Sequence, residues 1–521
     1  MDMKECLWSQ KSAEEPITVI VGGGVSGLYA AWKLGAAGKR VVLVEASPDR
    51  IGGRIETIEL EGFTAEFGPM RFEPTLQPTF DNLIKSLDIE YIDFVGPTAE
   101  KMEFPKYDVL PEESDMDALT LLKRGIMLIM GQEPNDQDWI DKQTEDDYRR
   151  WRKHQKLKGR NLWQMGFWNA LSADGVLSHQ ALMKVRDTGT FYHMIPENLN
   201  AIEWIIWWMR ALKTVGQDLV SIKGGTAKIT DTLLSKLQAM PNVDIFQGYE
   251  LLSFNECHEQ QQYIELFFNH RREKVKAYAD RLILALPQLP LKKLGRSLPP
   301  HVEDLLDTVN GFAMLKIFFV TDTPWWNYDQ KPQQYSNRMP TRELHYYRRD
   351  NAEESDGYGM VMLYTDRPAT EFWRHYVVDQ NNHDRAEMDK NNELVNEFAK
   401  FIARDVKHEL TSDDSGKPLN LTPYAIELFS NATLDEAAEM IRRSIITYGI
   451  HDWACEPFGA ANHGWKPNVQ SWKVQQTLKS FSLGSGRNNV HICGEAYSDY
   501  HGFVEGALNS VHLVIDDLLE A

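Results

Sequence analysis

The chain has 521 residues, a length that allows two or three domains and a sizeable hydrophobic core. Hydrophobic residues make up 42% and charged residues 25% of it, which is ordinary globular usage and excludes a disordered or fibrous protein. Its 56 Lys and Arg against 76 Asp and Glu give a net charge of −20, which repels phosphate backbones. We therefore expect a small-molecule partner and no nucleic acid.

The cysteines, the histidines and the amino terminus indicate neither a disulfide framework, nor a metal site, nor a membrane anchor. The four cysteines, Cys6, Cys257, Cys455 and Cys493, lie far apart without a CxxC pair, so we expect free thiols. The 15 histidines show no HExxH or HxH spacing, so no metal is expected. Residues 1–15 are polar and acidic, which is typical of a flexible tail and not of a secretory signal. No run approaches the ~18 apolar residues of a spanning helix, so we expect a cytoplasmic protein without a membrane partner.

The first elements in chain order form a strand, a helix and a second strand. Ile17 to Val21 is a short β-branched run, apolar except for Thr18, the pattern of a strand buried on both faces of a parallel sheet. The next segment has apolar residues at helical spacing as far as Leu34, where glycines end the helix. Val41 to Val44 then predicts a second buried strand, which ends at Glu45. This order predicts a βαβ unit.

Further along the chain, a helical segment separates two groups of predicted strands. Residues from about 112 to 218 are rich in charge and helix formers and hold seven of the 15 tryptophans, so we expect a helical insertion. Core packing of that segment explains most of these tryptophans. The other predicted strands are 243–246, 263–268, 281–286, 314–320, 344–347, 360–364 and 490–493, and the other predicted helices are 225–237, 384–410 and 503–519.

A glycine-rich loop after the first strand carries the most informative motif. Residues 22–27 fit GxGxxG between a buried strand and a helix. The first glycine allows the tight turn, the second lets a pyrophosphate approach the backbone, and the third allows close helix packing. At the end of the second strand, the Glu45 carboxylate stands where it can accept from ribose hydroxyls. The motif predicts binding of a dinucleotide, FAD or NAD, with contacts from Gly22, Gly24, Ser26, Gly27, Glu45 and Ala46.

The segment after the second strand, Ile51-Gly52-Gly53-Arg54, resembles the flavin-dependent amine oxidase family. A glycine pair brings backbone close to a ligand, and an arginine can meet its phosphates. In that family the segment lies along the cofactor. The resemblance therefore implies FAD as the cofactor, with Gly53 and Arg54 among its contacts.

The segment from Glu66 to Phe72 is similar to the one beside the flavin ring in the L-amino acid oxidase branch of the family. The resemblance implies that Gly68, Pro69, Met70 and Arg71 contact FAD and that Arg71 binds the α-carboxylate of the substrate. A guanidinium matches a carboxylate with a planar two-donor fork, whereas a simple amine substrate has no such group. A surface ion pair is the alternative role for this arginine.

Two strand residues are further catalytic candidates by resemblance. Lys316, in the apolar run 314–319, matches the family lysine that reaches flavin N5 through a water, and a buried lysine is costly without partners. The alternative is an edge-strand lysine that reaches solvent. Tyr364 resembles the tyrosine of bacterial tryptophan oxidases whose hydroxyl also touches the substrate carboxylate. A tyrosine in a strand also serves ordinary packing.

The C-terminal segment carries the second group of family motifs. Glu495 matches the glutamate that binds the ribityl or phosphate region of FAD in relatives. Gly502, Phe503 and Val504 precede and open the last helix, whose N-terminus would stabilise negative charge on a reduced flavin. The resemblance makes Gly502 and Phe503 substrate contacts, and Phe503 and Val504 FAD contacts. Phe503 stands where many relatives have a tryptophan wall.

Two departures from the family pattern bear on the cofactor. Monoamine oxidases hold flavin through a cysteine before the C-terminal motif, but residues 457–465 contain none, so we expect noncovalent FAD. Where relatives often have a valine on the adenine side of FAD, this chain has Glu250, which would make that contact through its backbone.

Together the motifs resemble bacterial FAD-dependent L-amino acid oxidases, and also bacterial L-tryptophan oxidase. The resemblance implies that an L-amino acid is oxidised to an imino acid, which hydrolyses to a 2-oxo acid and ammonia, while O2 becomes hydrogen peroxide. The alternatives are a decarboxylating amino acid 2-monooxygenase, an amine or polyamine oxidase, and a flavin-binding protein without turnover. The aromatic residues that favour a large aromatic or long apolar substrate side chain are Trp204, Trp207, Trp208, Trp465 and Phe503. A homodimer is also expected.

The predicted fold class is α/β with α+β inserts. A discontinuous Rossmann-like FAD-binding domain is expected at 16–75, 220–300 and 485–521. A substrate-binding domain with a mixed sheet is expected at 76–111 and 301–484, and a helical domain at 112–219.

Overall fold

A computed structural model describes most of the chain: residues 16–94, 98–99, 107–188, 197–213, 219–257, 263–326, 333–335, 343–347, 357–366, 369–377, 383–384, 392–411 and 421–520. The predicted tail at 1–15, including Cys6, lies outside the described residues. No helix within these ranges is long and apolar enough to cross a membrane.

The apolar runs predicted as buried strands form a five-stranded sheet in which all neighbours are parallel. From edge to edge its strands are Val243–Gln247, Arg40–Glu45, Ile17–Val21, Arg281–Leu284 and Val490–Ile492. Val19, Val42 and Leu282 lie side by side at its centre and are fully buried, because a parallel sheet is covered on both faces. The predicted βαβ unit is confirmed.

Helices cover one face of this sheet, and a small antiparallel sheet covers the other. The helices Val25–Ala36, Ala227–Gln238 and Val504–Glu520 share a hydrophobic core with Ile20 and Leu43 of the sheet. On the opposite face, the antiparallel strands are Tyr249–Glu256, Ile264–His270 and Glu273–Ala279. The sequence analysis predicted only the middle one of these three strands. In Tyr249–Glu256 an irregularity after Leu251 interrupts the alternation of apolar and polar residues, whereas in Glu273–Ala279 the alternation is regular and was overlooked.

A second large sheet has seven strands and is antiparallel except at one edge. In spatial order its strands are His383–Asp384, Ile445–Asp452, Leu315–Thr321, Gly359–Thr365, Glu343–Tyr347, Gln333–Tyr335 and Thr98–Ala99. One face packs on the helices Glu393–Thr411 and Leu434–Ser444. The other face packs on the hairpin Thr57–Leu60 and Phe63–Glu66, which follows the glycine-rich loops of the first sheet. This second face therefore points towards the carboxyl ends of the parallel strands.

The segment predicted as a helical insertion is helical and has its own hydrophobic core. Its helices are Ala118–Ile129, Gln137–Lys142, Glu145–His154, Phe167–Leu171, His179–Thr188 and Ala201–Leu212, with a two-stranded hairpin at Lys156–Leu157 and Arg160–Asn161. The strands Tyr91–Phe94 and Leu219–Ile222 pair at its base, so the chain leaves and returns at one place. The domain boundaries expected from the sequence stay predictions.

The remaining elements connect these layers. They are the helices Pro78–Ser86, Gln288–Lys293, Pro300–Glu303, Ala369–Arg374, Pro423–Ser430 and Ser471–Lys479, and the paired strands Val309–Phe312 and Asn462–Trp465. The predicted helix 384–410 begins later, at Glu393, since residues 383–384 form an edge strand and 385–391 lie outside the described residues. Strand Ile445–Asp452, which lies between the edge strand His383–Asp384 and Leu315–Thr321 in the seven-stranded sheet, was not predicted.

Candidate functional site

A cavity of about 620 Å³ begins at the carboxyl ends of the parallel strands and ends against the seven-stranded sheet. Ligands of open α/β sheets bind at this edge. The expected cofactor residues on its wall are Gly22, Gly24, Ser26, Glu45, Ala46, Gly53, Arg54, Gly68, Pro69, Glu250, Glu495, Phe503 and Val504. Lys316, Tyr364 and Gly502 also line it, whereas Gly27, Met70 and Arg71 lie behind its wall in the described part of the chain.

The two glycine loops form an open cradle at the strand ends. The Gly23 N–H donates to Glu45 Oε2 over 2.6 Å, and the Gly52 N–H donates to the Gly23 carbonyl over 2.9 Å. A Cβ added to Gly24 would meet protein no closer than 3.8 Å, at Gly53 Cα. A Cβ at Gly27 would lie 1.9 Å from the Gly22 carbonyl oxygen. Gly24 therefore leaves room for a ligand to approach the backbone, while Gly27 is required by packing.

Glu495 joins the glycine cradle to the C-terminal loop. Its carboxylate accepts from Arg54 Nη1 over 2.9 Å, from the Gly502 N–H over 3.0 Å and from the His463 N–H over 2.9 Å. His463 Nδ1 lies 2.8 Å from the same carboxylate. Burial raises the pKa of Glu495, but His463 and Arg54 outweigh burial and hold it well below its usual range. Glu495 is thus an ionised anchor for the Gly502 turn, and its contact with FAD stays a prediction.

Two neighbouring residues of the cavity wall each carry a buried polar atom without a hydrogen-bond partner among the described residues. The atoms are Asn462 Oδ1 and His463 Nε2. Because buried polar groups are nearly always hydrogen-bonded, unpaired atoms at a cavity wall indicate a polar ligand. With the cradle at Gly24 and the ionised Glu495, they fit a nucleotide cofactor with polar groups at several points. The sequence analysis did not identify Asn462 or His463 as site residues. Two adjacent polar residues in a short strand were the feature that could have indicated them.

Lys316 is the buried cation of the cavity wall at the seven-stranded sheet. Its strand brings Nζ within 2.9 Å of the Glu66 carbonyl and 2.6 Å of the Gly68 carbonyl, and it donates to both. The side chain is 5% exposed, and burial, reinforced by the charge of Arg71, lowers the pKa of Lys316 to about 7. Nζ can therefore hold or release a proton near neutral pH. The alternative of a solvent-reaching edge lysine is wrong, because its strand is central in the sheet.

Beside Lys316, a row of polar side chains crosses three neighbouring strands. Lys316 stands opposite Tyr364, and Tyr364 stands opposite Glu343, so the three side chains share one face. The Tyr364 hydroxyl donates to Met314 Sδ over 3.6 Å, and Lys316 Nζ lies 5.0 Å from the Tyr364 ring centre. Arg71 reaches the far end of the row, where Nη2 lies 3.7 Å from Glu343 Oε1.

His345 completes the group around Arg71. Its Nε2 lies 2.7 Å from Glu343 Oε2, and both side chains are buried. Burial lowers the pKa of His345, which favours a neutral imidazole near pH 7. Sequence reasoning missed Glu343 and His345. Their signal was present, since they alternate along an otherwise hydrophobic strand and so point to one face.

Aromatic rings line one side of the cavity. Trp204 and Trp207 are stacked with ring centres 4.8 Å apart, and Phe503 lies 6.1 Å from Trp207. Trp208 and Trp465 do not line this cavity in the described residues but are buried in hydrophobic cores. The expected aromatic wall is thus made by Trp204, Trp207 and Phe503, and the other two tryptophans serve packing.

A family model and one known protein resemble the chain over nearly its whole length, and an L-amino-acid oxidase resembles a short part of it. The family model described as flavin containing amine oxidoreductase matches residues 25–512. Aplysianin-A of Aplysia kurodai is 23% identical over 539 residues, which cover 96% of this chain and 89% of Aplysianin-A. An L-amino-acid oxidase of Sistrurus catenatus edwardsii is 45% identical over 76 residues, which cover 15% of this chain and 14% of that relative's length.

Solved structures also share the fold. A putrescine oxidase superposes with a TM-score of 0.64 at 16% identity, covering 97% of this chain and 99% of that chain. A putrescine oxidase bound to putrescine gives a TM-score of 0.62 at 17% identity over the same shares. At such identities the likeness establishes the fold and not the substrate.

Proposed function

Because the chain belongs to the family of flavin-containing amine oxidoreductases, we propose that it is an L-amino acid oxidase that binds FAD noncovalently. When bound, a flavin supplies the redox chemistry: it accepts two electrons from the Cα–H bond of the substrate, as the carbon–nitrogen bond becomes double, and passes them to O2. The products are an imino acid, which hydrolyses to a 2-oxo acid and ammonia, and hydrogen peroxide. The expected homodimer stays a prediction.

Three observations support noncovalent FAD. The Glu45 carboxylate lies at the end of the second parallel strand, where it can accept from ribose hydroxyls. Gly24 leaves open space for phosphate at the N-terminus of the first helix. No cysteine is among the described residues that line the cavity, and Cys493 is buried with its pKa raised to about 12 by burial.

The observation that carries the amino acid assignment is the guanidinium of Arg71 beside the row of Lys316 and Tyr364. A simple amine has no group that this guanidinium, 12% exposed, could bind, whereas an α-carboxylate matches its planar fork. Tyr364 lies between the cavity and Glu343, so its hydroxyl can contribute to the same carboxylate site. The stacked Trp204 and Trp207 favour a large aromatic or long apolar side chain.

Lys316 is proposed to handle the proton of the substrate amine. An ammonium group must lose a proton before its Cα–H bond can be oxidised. Nζ, with a pKa of about 7, can hold that proton at neutral pH, and its bonds to Glu66 and Gly68 fix its position.

An oxidase for amines with a second cationic group is the second candidate. Glu197 and Asp366 both line the cavity and could receive such a cation. Arg71 also has a carboxylate partner within the protein, Glu343, so its charge can be neutralised without a substrate carboxylate. This pairing favours the second candidate. Product analysis separates both candidates from a decarboxylating monooxygenase, which would yield an amide.

The test compares an amino acid with its matching amine. Arg71→Ala should lower kcat/KM for the L-amino acid by roughly tenfold to a hundredfold, because a charge-assisted hydrogen bond contributes about 1.5–3 kcal/mol. Arg71→Lys should recover part of this loss, since it keeps the charge but not the fork. The amine should be a poor substrate for the wild type and should lose much less. Equal turnover of amine and amino acid, or no effect of Arg71→Ala on either, would replace the amino acid oxidase with the amine oxidase.

A further inference from the structure

Two buried arginines of the helical segment meet at one carbonyl of the C-terminal loop, residues 498–503. Arg152 lies on the helix Glu145–His154 and Arg210 on the helix Ala201–Leu212, and their side chains are 5% and 7% exposed. Arg152 Nη2 donates to the Asp499 carbonyl over 3.3 Å, and Arg210 Nη1 donates to the same oxygen over 3.0 Å. The C-terminal loop is therefore attached to both helices.

The same arginines also join the two helices to each other. Arg152 Nε donates to both carboxylate oxygens of Glu203 on the other helix, over 3.1 and 3.0 Å. Arg210 donates to both carboxylate oxygens of Glu145, from Nε over 2.9 Å and from Nη2 over 2.6 Å. Each helix thus supplies one arginine and one glutamate, and each planar guanidinium has a further donor for the loop. Such bonds fix the geometry, because breaking one leaves a buried polar group unsatisfied.

The Asp499 side chain strengthens the attachment of the loop. Its Oδ2 lies 3.9 Å from Nη2 of both Arg152 and Arg210. Burial raises the pKa of Asp499, but the two arginines outweigh burial and hold it below its usual range. The loop is thus bound to the helical segment through its backbone and through an ionised side chain.

The attached loop carries one wall of the cavity. Tyr500 packs in the core of the helical segment, with its ring 4.6 Å from the Arg210 guanidinium and 5.0 Å from the Phe503 ring. At the other end of the loop, the Gly502 N–H donates to Glu495. Phe503 is therefore positioned by the helical segment on one side and by the carboxylate of the cofactor domain on the other.

The helix Ala201–Leu212 supplies the facing aromatic wall. Trp207 and Arg210 are three residues apart and so lie on one face of this helix. Trp207 lines the cavity, and its ring centre is 6.1 Å from that of Phe503. The spacing of the two rings, and with it the width of this part of the cavity, thus depends on the bonds between Arg210 and the loop.

We propose that Arg210, assisted by Arg152, is a specificity-determining positioning residue, whose bonds to the C-terminal loop set the spacing of Trp207 and Phe503 and so favour a large aromatic substrate side chain. The inference rests on the proposed function, because that function includes the preference for such a side chain. Neither arginine is among the described residues that line the cavity, so both act through the loop and not on the reacting atoms.

The experiment compares the flavin-loaded wild type with Arg210→Met, which keeps an unbranched side chain but removes the charge and the donors. Peroxide production is measured with L-tryptophan and L-alanine, and with the matching amines tryptamine and ethylamine. In Arg210→Met the ratio of kcat/KM for the large over the small substrate should fall by roughly three- to tenfold, the size of one lost aromatic contact. The loss should appear as a higher KM for the large substrate with kcat nearly unchanged, since no reacting group is altered.

Three further variants separate a change in specificity from a loss of stability. Arg210→Lys keeps the cation and should recover part of the ratio. Glu145→Gln removes the carboxylate that orients Arg210 from a side chain that is 51% exposed, and it should lower the ratio in the same direction even if Arg210→Met does not fold. Ile126→Val removes one methyl group from the buried core of the same helical segment and should lower stability without changing the ratio.

Hydrogen exchange followed by mass spectrometry gives a readout that needs no turnover. Deuterium uptake at residues 499–503 should be at least roughly tenfold faster in Arg210→Met than in the wild type, because the loop has lost one of its anchors. Uptake at the same residues in Ile126→Val should match the wild type.

The outcomes separate this inference from the proposed function. Turnover of the amines alone would overturn the amino acid oxidase, while the ratio of tryptamine to ethylamine would still test Arg210. An unchanged ratio in Arg210→Met, or an equal fall in Ile126→Val, would overturn the role of Arg210 in specificity. Unchanged deuterium uptake at residues 499–503 in Arg210→Met would overturn it as well, whichever substrate is turned over, or none.

Discussion

Replacing Lys316 by methionine should change how the stability of the protein depends on pH. The side chain keeps its length, but the titrating amine is removed. In the folded chain, burial lowers the pKa of Lys316 from 10.5 to about 7. The unfolded chain therefore binds more protons than the folded chain at this position between pH 7 and pH 10.5, so stability rises with pH across this window.

The size of this effect follows from the two pKa values. Between pH 7 and pH 9, the wild type should gain about 2 kcal/mol of unfolding free energy relative to Lys316→Met. For a chain of this length, whose unfolding entropy is roughly 1.1 kcal/mol/K, this gain corresponds to about 2 °C in Tm. The lost bonds to the Glu66 and Gly68 carbonyls shift the stability of the variant at every pH alike and do not alter this difference.

Scanning calorimetry of wild type and variant at pH 7, 8 and 9 is the measurement. The wild-type Tm should move up relative to Lys316→Met as the pH rises. Lys473→Met, an exposed change on the helix Ser471–Lys479, is the matched control and should show no such trend. A difference in Tm between wild type and Lys316→Met that is constant with pH, or that shrinks as pH rises, would refute a lysine titrating near neutrality.

Three further outcomes are expected. Gly24→Val should lose flavin but keep its fold, as measured by circular dichroism, because a side chain at this position enters the space of the ligand. Gly27→Val should lose the fold as well, because its Cβ would meet the Gly22 carbonyl oxygen. Normal flavin content in Gly24→Val would contradict the cofactor cradle at this glycine. Acid or heat denaturation of the wild type should release intact FAD, and flavin that stays attached to the chain would contradict noncovalent binding. Rapid-reaction measurements should show that Lys316→Met slows flavin reduction or reoxidation at least tenfold while FAD stays bound, and unchanged rates in both half-reactions would leave Lys316 with a structural role alone.

The nucleotide-binding part of the fold was readable from the sequence because its signals are local. The run Ile17–Val21, apolar except for Thr18, and the apolar core of the strand Arg40–Glu45 indicate buried parallel strands whatever the rest of the chain does. The glycines between the first strand and its helix are required by the tight backbone contacts at Gly22 and Gly27. The family motifs at both ends of the chain led in the same way to residues that meet around one cavity.

The substrate end of the site depended on contacts that no local pattern contains. Lys316 was recognised as a strand residue, but its lowered pKa depends on burial and on the charges of Arg71, Glu66 and Glu343, which belong to other segments. The pairing of Arg71 with Glu343 depends on which strand neighbours which in the seven-stranded sheet. A register slip of one residue would turn Glu343 and His345 to the opposite face. The sequence alone therefore determined which residue types were available for a flavin and an amino acid, while strand order and register decided which charges came into contact, because that depends on packing between distant segments.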